Sequence, residues 1–404
     1  MSVERVGVLG AGTMGTGIAQ VAALGGYRTQ LYDAFPEAAE AGAVKLGEAL
    51  AKGAKRGRWS DEEAAAASDR VSPAVEMADL AGCDLLIEAA PEDVALKREL
   101  FAAVAAVCGP DAVLATNTSS LRVADIAAGV PNPERVVGMH FFNPPALMKL
   151  VEVVAAGESS ERALEASTEV ATRMGRTPIR ACDTPGFVAN RLARPFALES
   201  LRMLGDGLAS AETIDRIVRL GGGFRMGPFQ LIDLVGLDVN LSIARSFFAQ
   251  GGEPERWRPS PIQERLVAEG KLGRKSGEGY YAYGEGIERE SDPDLGIEAP
   301  TLDPKQLALI DPVATDVLSR LFAQIANETA FALEENVASP EDMEVAMRLG
   351  LNWPLGPLSL AGKIGAAGAV ALLEALEREK GGAYAQAPLL RLAAERGVEL
   401  REAR

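Results

Sequence analysis

The sequence predicts an α/β protein: a doubly wound parallel sheet followed by two tandem all-α domains. Three observations predict it. A glycine-rich turn joins the first strand to the first helix, apolar strands alternate with helices as far as Asp183, and the second half of the chain contains an internal repeat.

Val3 to Leu9 reads as a short apolar strand. It runs into Gly10-Ala11-Gly12-Thr13-Met14-Gly15, and Thr16 to Leu24 reads as the helix that follows. G-x-G-x-x-G between a strand and a helix is a dinucleotide fingerprint. Gly10 makes the tight turn, Gly12 lets backbone approach a pyrophosphate, and Gly15 lets the helix pack on the strand. The helix N-terminus offers free N–H groups to the phosphates, and Thr13 and Met14 of the turn are expected among the cofactor contacts. Arg28 to Tyr32 forms the second strand and leads to Asp33. A carboxylate there accepts from both ribose hydroxyls and repels a 2′-phosphate, which favours NAD over NADP. The first domain is therefore expected to be of the Rossmann type.

Pro36 to Gly57 reads as a long helix, ending in the basic run Lys52-Gly53-Ala54-Lys55-Arg56-Gly57-Arg58. Further strands are expected at Asp84–Ala90, Ala112–Ala115, Arg135–Met139 and Lys149–Ala155, with a helix over Val94–Cys108. Strands alternating with helices indicate a parallel sheet whose ligands bind beyond the carboxyl ends of its strands. Gly10, Asp33, Ser119 and His140 each follow a predicted strand end and would line one edge.

Asp183-Thr184-Pro185-Gly186 marks a break, after which helical periodicity dominates. Here the chain repeats itself at an offset of 129 residues. Ala209-Ser210-Ala211-Glu212 matches Ala338-Ser339-Pro340-Glu341, and Arg219-Leu220-Gly221 matches Arg348-Leu349-Gly350. Met226-Gly227-Pro228-Phe229 matches Leu355-Gly356-Pro357-Leu358, while Arg191, Glu199 and Gly236 find Arg320, Glu328 and Gly365. Matches in constant register mean two copies of one helical unit. The expected division is residues 1–183, 184–284 and 303–404, with an acidic linker over 285–302.

A hydrophobic fraction of 48% and a charged fraction of 24% suit a globular chain. The net charge of −16 opposes binding to nucleic acid or anionic membrane. No apolar run reaches the length of a membrane span, and with the first strand this close to Met1 no leader segment is expected. Cys83, Cys108 and Cys182 are scattered, as suits a reducing cytoplasm. With one histidine and no cysteine cluster, no metal site is expected.

That single histidine, His140, lies in Gly138-Met139-His140-Phe141-Phe142-Asn143-Pro144-Pro145 and is the sole candidate for imidazole acid–base chemistry. Glu152 stands in the apolar strand Lys149-Leu150-Val151-Glu152-Val153-Val154, where a carboxylate needs a partner. The economical reading pairs it with His140, fixing the ring's tautomer and favouring uptake of a proton. An imidazole base beside a nicotinamide suggests removal of a hydroxyl proton as hydride leaves the same carbon. Ser119 and Asn190 offer neutral hydrogen bonds to substrate oxygens.

These motifs resemble the L-3-hydroxyacyl-CoA dehydrogenases of fatty-acid β-oxidation. The resemblance rests on Asn117-Thr118-Ser119-Ser120, the run from Gly138 to Pro144, Lys149-Leu150-Val151-Glu152, Asp183 to Arg191 and Met226-Gly227-Pro228-Phe229. It implies that His140 is the general base, that Glu152 orients it and that Ser119 and Asn190 contact substrate. It further implies cofactor contacts at Glu92, Lys97 and Asn143, and oxidation of an (S)-3-hydroxyacyl-CoA by NAD. Under it, Lys52, Lys55 and Arg56 would meet the phosphates of coenzyme A. The second helical copy carries Ser319 in place of Asn190, so it inherits no catalytic residue and is expected to replace a partner subunit, leaving a monomer or a different homodimer. Two rival readings are a dehydrogenase of free hydroxy or sugar acids, resembling L-gulonate dehydrogenase and λ-crystallin, and a non-catalytic NAD-binding protein.

Overall fold

A computed structural model describes residues 3–284 and 291–404. The chain forms two compact units, Met1–Phe187 and Val188–Arg404.

In the first unit the strands are β1 (Arg5–Leu9), β2 (Arg28–Tyr32), β3 (Val71–Ala74), β4 (Leu85–Glu88), β5 (Val113–Thr116), β6 (Val136–Phe141), β7 (Leu150–Ala155) and β8 (Thr177–Cys182). They make one sheet in the order β3-β2-β1-β4-β5-β6-β7-β8. Its helices are α1 (Thr13–Leu24), α2 (Pro36–Lys55), α3 (Asp61–Asp69), α4 (Val94–Val107), α5 (Val123–Ala127) and α6 (Glu161–Arg173). Strands β4, β5 and β6 are buried along their whole length. Such unbroken apolar runs are what a sheet covered on both faces requires. Val6, Val8, Ile87, Ala115, Val137 and Val153 meet Ile18 and Ala22 of α1 and Val170 of α6 in the core.

The sheet corrects the sequence reading in three places. Strands β3 and β8 were not expected. Both are edge strands whose prolines (Pro73, Pro178) and exposed positions break any apolar run, and proline is tolerated at an edge because no ladder N–H is lost there. Second, β7 runs antiparallel to β6, while the other neighbouring pairs are parallel. Only a short loop, residues 142–149, joins β6 to β7, and a loop without a crossover helix can return the chain only antiparallel. Third, His140 does not follow a strand end. It is the fifth residue of β6, and Phe141 closes the strand.

The second unit is helical: α7 (Ala189–Leu192), α8 (Arg194–Gly205), α9 (Ala211–Leu220), α10 (Pro228–Val235), α11 (Leu237–Gln250) and α12 (Pro261–Ala268). These are followed by α13 (Pro304–Leu307), α14 (Ala314–Glu334), α15 (Pro340–Gly350), α16 (Pro357–Ile364), α17 (Ala366–Lys380), α18 (Pro388–Arg396) and α19 (Leu400–Ala403). Helices α9, α10 and α11 recur as α15, α16 and α17 at the repeat offset. Each copy staples its own helices with a buried carboxylate. Asp215 accepts from the backbone N–H groups of Phe229 and Gln230, and Glu344 accepts from Ser359.

The copies pack through α8 and α14 with reciprocal ion pairs. Nε of Arg191 donates to Glu328 at 2.9 Å, and Nε of Arg320 donates to Glu199 at 2.7 Å. Arg191 also grips Glu335, and Arg320 grips Asp206. Trp257 donates to Glu328 as Tyr384 donates to Glu199. A pattern in which each residue meets its counterpart's partner is the mark of an isologous contact between equivalent halves. Part of the expected linker, residues 285–290, lies outside the described residues. Beyond it, Asp292 takes two 2.7 Å bonds from Arg219 and Thr301 donates to Gly221, which ties this segment to the first copy. Among the described residues no single helix is long and apolar enough to cross a membrane.

Candidate active site

The turn after β1 is shaped for a dinucleotide. Gly10 has φ +102, a conformation that L side chains rarely adopt, and a Cβ on Gly15 would lie 1.7 Å from the Gly10 carbonyl oxygen. A Cβ on Gly12 would point into open space, so the backbone there is bare to an approaching ligand. Helix α1 starts at Thr13 with no side-chain cap, leaving its first N–H groups to an outside acceptor. Asp33, after β2, accepts from the backbone N–H groups of Ala11 and Phe35, which aims its carboxylate toward the glycine turn. These features fit a pyrophosphate and an adenosine ribose.

His140 and Glu152 are direct partners across the antiparallel pair β6–β7, so both side chains leave the sheet on one face. Nδ1 of His140 lies 2.6 Å from Oε2 of Glu152. With an ionised carboxylate as its partner, a neutral imidazole places its proton on Nδ1 and leaves the lone pair on Nε2. The pair is buried: His140 is 5% exposed and Glu152 0%. Phe142 and Phe187 flank the imidazole, with ring centroids at 4.5 and 5.8 Å. Asn117, beyond the end of β5, accepts from the N–H of Phe141 and so fixes the end of the histidine's strand.

Ser119 is exposed, on a loop held by Glu92. One carboxylate oxygen of Glu92 takes bonds from the Thr118 hydroxyl, the backbone N–H groups of Ser119 and Ser120, and the Ser120 hydroxyl. Burial pushes the Glu92 carboxyl up, but the bonds from Thr118, Ser119 and Ser120 and the charge of Lys97 outweigh it and leave it below the usual range. Lys97 is buried in α4 between Glu88 at 2.6 Å and Glu92 at 3.4 Å. Asn143 is exposed in the loop after β6, and Lys52, Lys55 and Arg56 are exposed at the end of α2. Asn190 lies in α7, within the second unit, and its backbone carbonyl accepts from Nε of Arg194.

Glu88 and Arg194 were not singled out in the sequence, and Asn117 was read there only as part of the Asn117–Ser120 run. Glu88 shows a signal like that of Glu152, a lone carboxylate in an apolar strand, here at the strand's end. It is satisfied by Lys97, Thr116 and the N–H of Ala90. No cluster of side chains able to hold a metal is found among the described residues.

A family model described as "3-hydroxyacyl-CoA dehydrogenase, NAD binding domain" matches residues 5–184. A second, "3-hydroxyacyl-CoA dehydrogenase, C-terminal domain", matches residues 186–283 and 317–402. The chain belongs to the 3-hydroxyacyl-CoA dehydrogenase family. That C-terminal model falls on both helical copies. A "3-hydroxyadipyl-CoA dehydrogenase" of Escherichia coli K12 is 35% identical over 451 aligned positions, covering 94% of this chain and 95% of the relative. A "probable 3-hydroxybutyryl-CoA dehydrogenase" of Bacillus subtilis is 40% identical over 285 positions, covering 70% of this chain and 99% of the relative. The crystal structure of 3-hydroxybutyryl-CoA dehydrogenase from Escherichia coli K12 superimposes with a TM-score of 0.87 at 35% identity, over 98% of this chain and 99% of that one. The fold, the NAD-binding domain and the dehydrogenase class read from the sequence agree with these relatives.

Proposed function

We propose that this chain oxidises an (S)-3-hydroxyacyl-CoA to the 3-oxoacyl-CoA, with His140 as the general base. NAD, when bound, supplies the acceptor for the hydride leaving C3. Nε2 of His140 takes the hydroxyl proton as the carbonyl forms, and Glu152, bonded to Nδ1, stabilises the resulting imidazolium. Ser119 and Asn190 donate hydrogen bonds to substrate oxygens and orient the carbinol. Gly10, Gly12, Thr13, Met14, Gly15 and Asp33 hold the cofactor's pyrophosphate and ribose, with Glu92, Lys97 and Asn143 toward its nicotinamide end. Lys52, Lys55 and Arg56 offer local positive charge to the coenzyme A phosphates in a chain of net charge −16.

Residues 1–183, 184–284 and 303–404 are the proposed functional divisions. In this reading the last of them braces the second within one chain, as a partner subunit would. The proposed setting is the cytoplasm, with neither nucleic acid nor membrane as partner.

The observation that supports this reading most strongly is the buried 2.6 Å pair formed by the chain's single histidine. NADH absorbance with (S)-3-hydroxybutyryl-CoA tests it. The wild type should turn over, and His140→Gln should lose about a hundred- to ten-thousand-fold in kcat while NADH still binds. A variant that keeps its rate would remove His140 as the base.

A further inference from the structure

Arg194 is a buried cation without a counter-charge. It is 7% exposed, no carboxylate lies within ion-pair reach of it among the described residues, and its Nη1 has no hydrogen-bond acceptor. Its contacts are the Asn190 carbonyl oxygen, one turn back along the chain, and the face of the Phe247 ring at 5.0 Å. Burial alone pulls its guanidinium down to about 10. The other deeply buried arginines of this unit behave differently: Arg191 and Arg320 each meet two carboxylates. Leaving a buried charge unpaired is strongly unfavourable.

The repeat supplies an internal control. At the offset of 129 residues, Asn190 corresponds to Ser319 and Arg194 to Ala323, which is fully buried in α14. The same helical fold is therefore built with alanine where no substrate residue stands nearby. At this position arginine appears only in the copy that holds Asn190, its Nη1 is unsatisfied, and a guanidinium is a fork that can bind a carboxylate through two parallel N–H bonds.

We propose that Arg194 receives the distal carboxylate of a dicarboxylic 3-hydroxyacyl-CoA, making this chain selective for acyl groups that end in a carboxylate. The inference rests on the reading of Asn190 as a substrate contact. A carboxylate arriving with the substrate completes the missing half of an ion pair. A plain alkyl chain of the same length leaves the cation buried and unsatisfied, which is the arrangement that rejects analogues most sharply.

The test compares kcat/KM for (S)-3-hydroxyadipyl-CoA and (S)-3-hydroxyhexanoyl-CoA, which have equal chain lengths, in the wild type, Arg194→Lys and Arg194→Val. The expected wild-type preference for the dicarboxylate is on the order of a hundredfold. It should shrink in the lysine variant and vanish in the valine variant. The melting temperature of the substrate-free valine variant should rise, because it sheds an uncompensated charge. A wild type that takes both substrates within threefold overturns the proposal, and so does a ratio that valine leaves unmoved. No NADH from either substrate or from (S)-3-hydroxybutyryl-CoA would overturn the functional reading itself, and this inference with it.

Discussion

The two helical copies share a scaffold and differ in chemistry. Arg191 and Arg320, Glu199 and Glu328, and the helix-stapling Asp215 and Glu344 occupy equivalent places and make equivalent bonds. Asn190 and Arg194 in the first copy become Ser319 and Ala323 in the second. What the copies retain holds helices together, and what they do not retain is what the proposed reaction uses. A duplicated unit thus separates the two kinds of residue without any other chain for reference.

The comparison breaks most directly at the reciprocal ion pairs. Removing Glu328 takes the buried carboxylate from Arg191 and Arg256 and leaves them only the half-exposed Glu335, and removing Glu199 takes the buried carboxylate from Arg320 and Arg202 and leaves Arg320 only Asp206. Each alanine substitution should cost about 3–5 kcal/mol. The two should cost the same within about 1 kcal/mol if the halves are equivalent, as read from urea unfolding. A large inequality would show that the halves are not equivalent and that the second copy does not substitute for a partner.

A smaller effect sharpens the comparison at Asp215. Burial pushes this carboxyl up to about 6, against the bonds from Tyr281, Phe229 and Gln230. Because the folded state holds the proton more tightly than the unfolded one, the group's contribution to stability falls as pH rises from 3.8 to about 6. Asp215→Asn should flatten the stability profile by about 2–3 kcal/mol across that window. An unchanged slope would place the ionised form in the fold at all these pH values.

Much of the site was legible because its residues violate their surroundings. His140 and Glu152 are polar interruptions of apolar strands, and Gly10 to Gly15 form a spaced motif with a physical reason for each glycine. Strands β3 and β8 were hidden because edge strands need no apolar run. The direction of β7 was hidden because it depends on the short loop before it. Arg194 was hidden for another reason. Arg191, Arg194 and Arg202 look alike in the sequence, and only the carboxylates brought from distant helices separate the paired from the unpaired. Glu88 went unnoticed although its pattern matches that of Glu152. Its partner Lys97 lies on the next helix, and nothing in the strand announces it.

The central claim is that the chemistry belongs to the first copy and the bracing to the second. Exchanging the diagnostic residue in each direction tests it. Asn190→Ser should lower kcat/KM for the acyl-CoA substrate by about ten- to a hundredfold, the scale of one charge-neutral hydrogen bond lost near the reacting atoms. Ser319→Asn should leave kcat/KM within twofold of the wild type. Equal losses from the two exchanges, or none from Asn190→Ser, would contradict the division of labour between the copies.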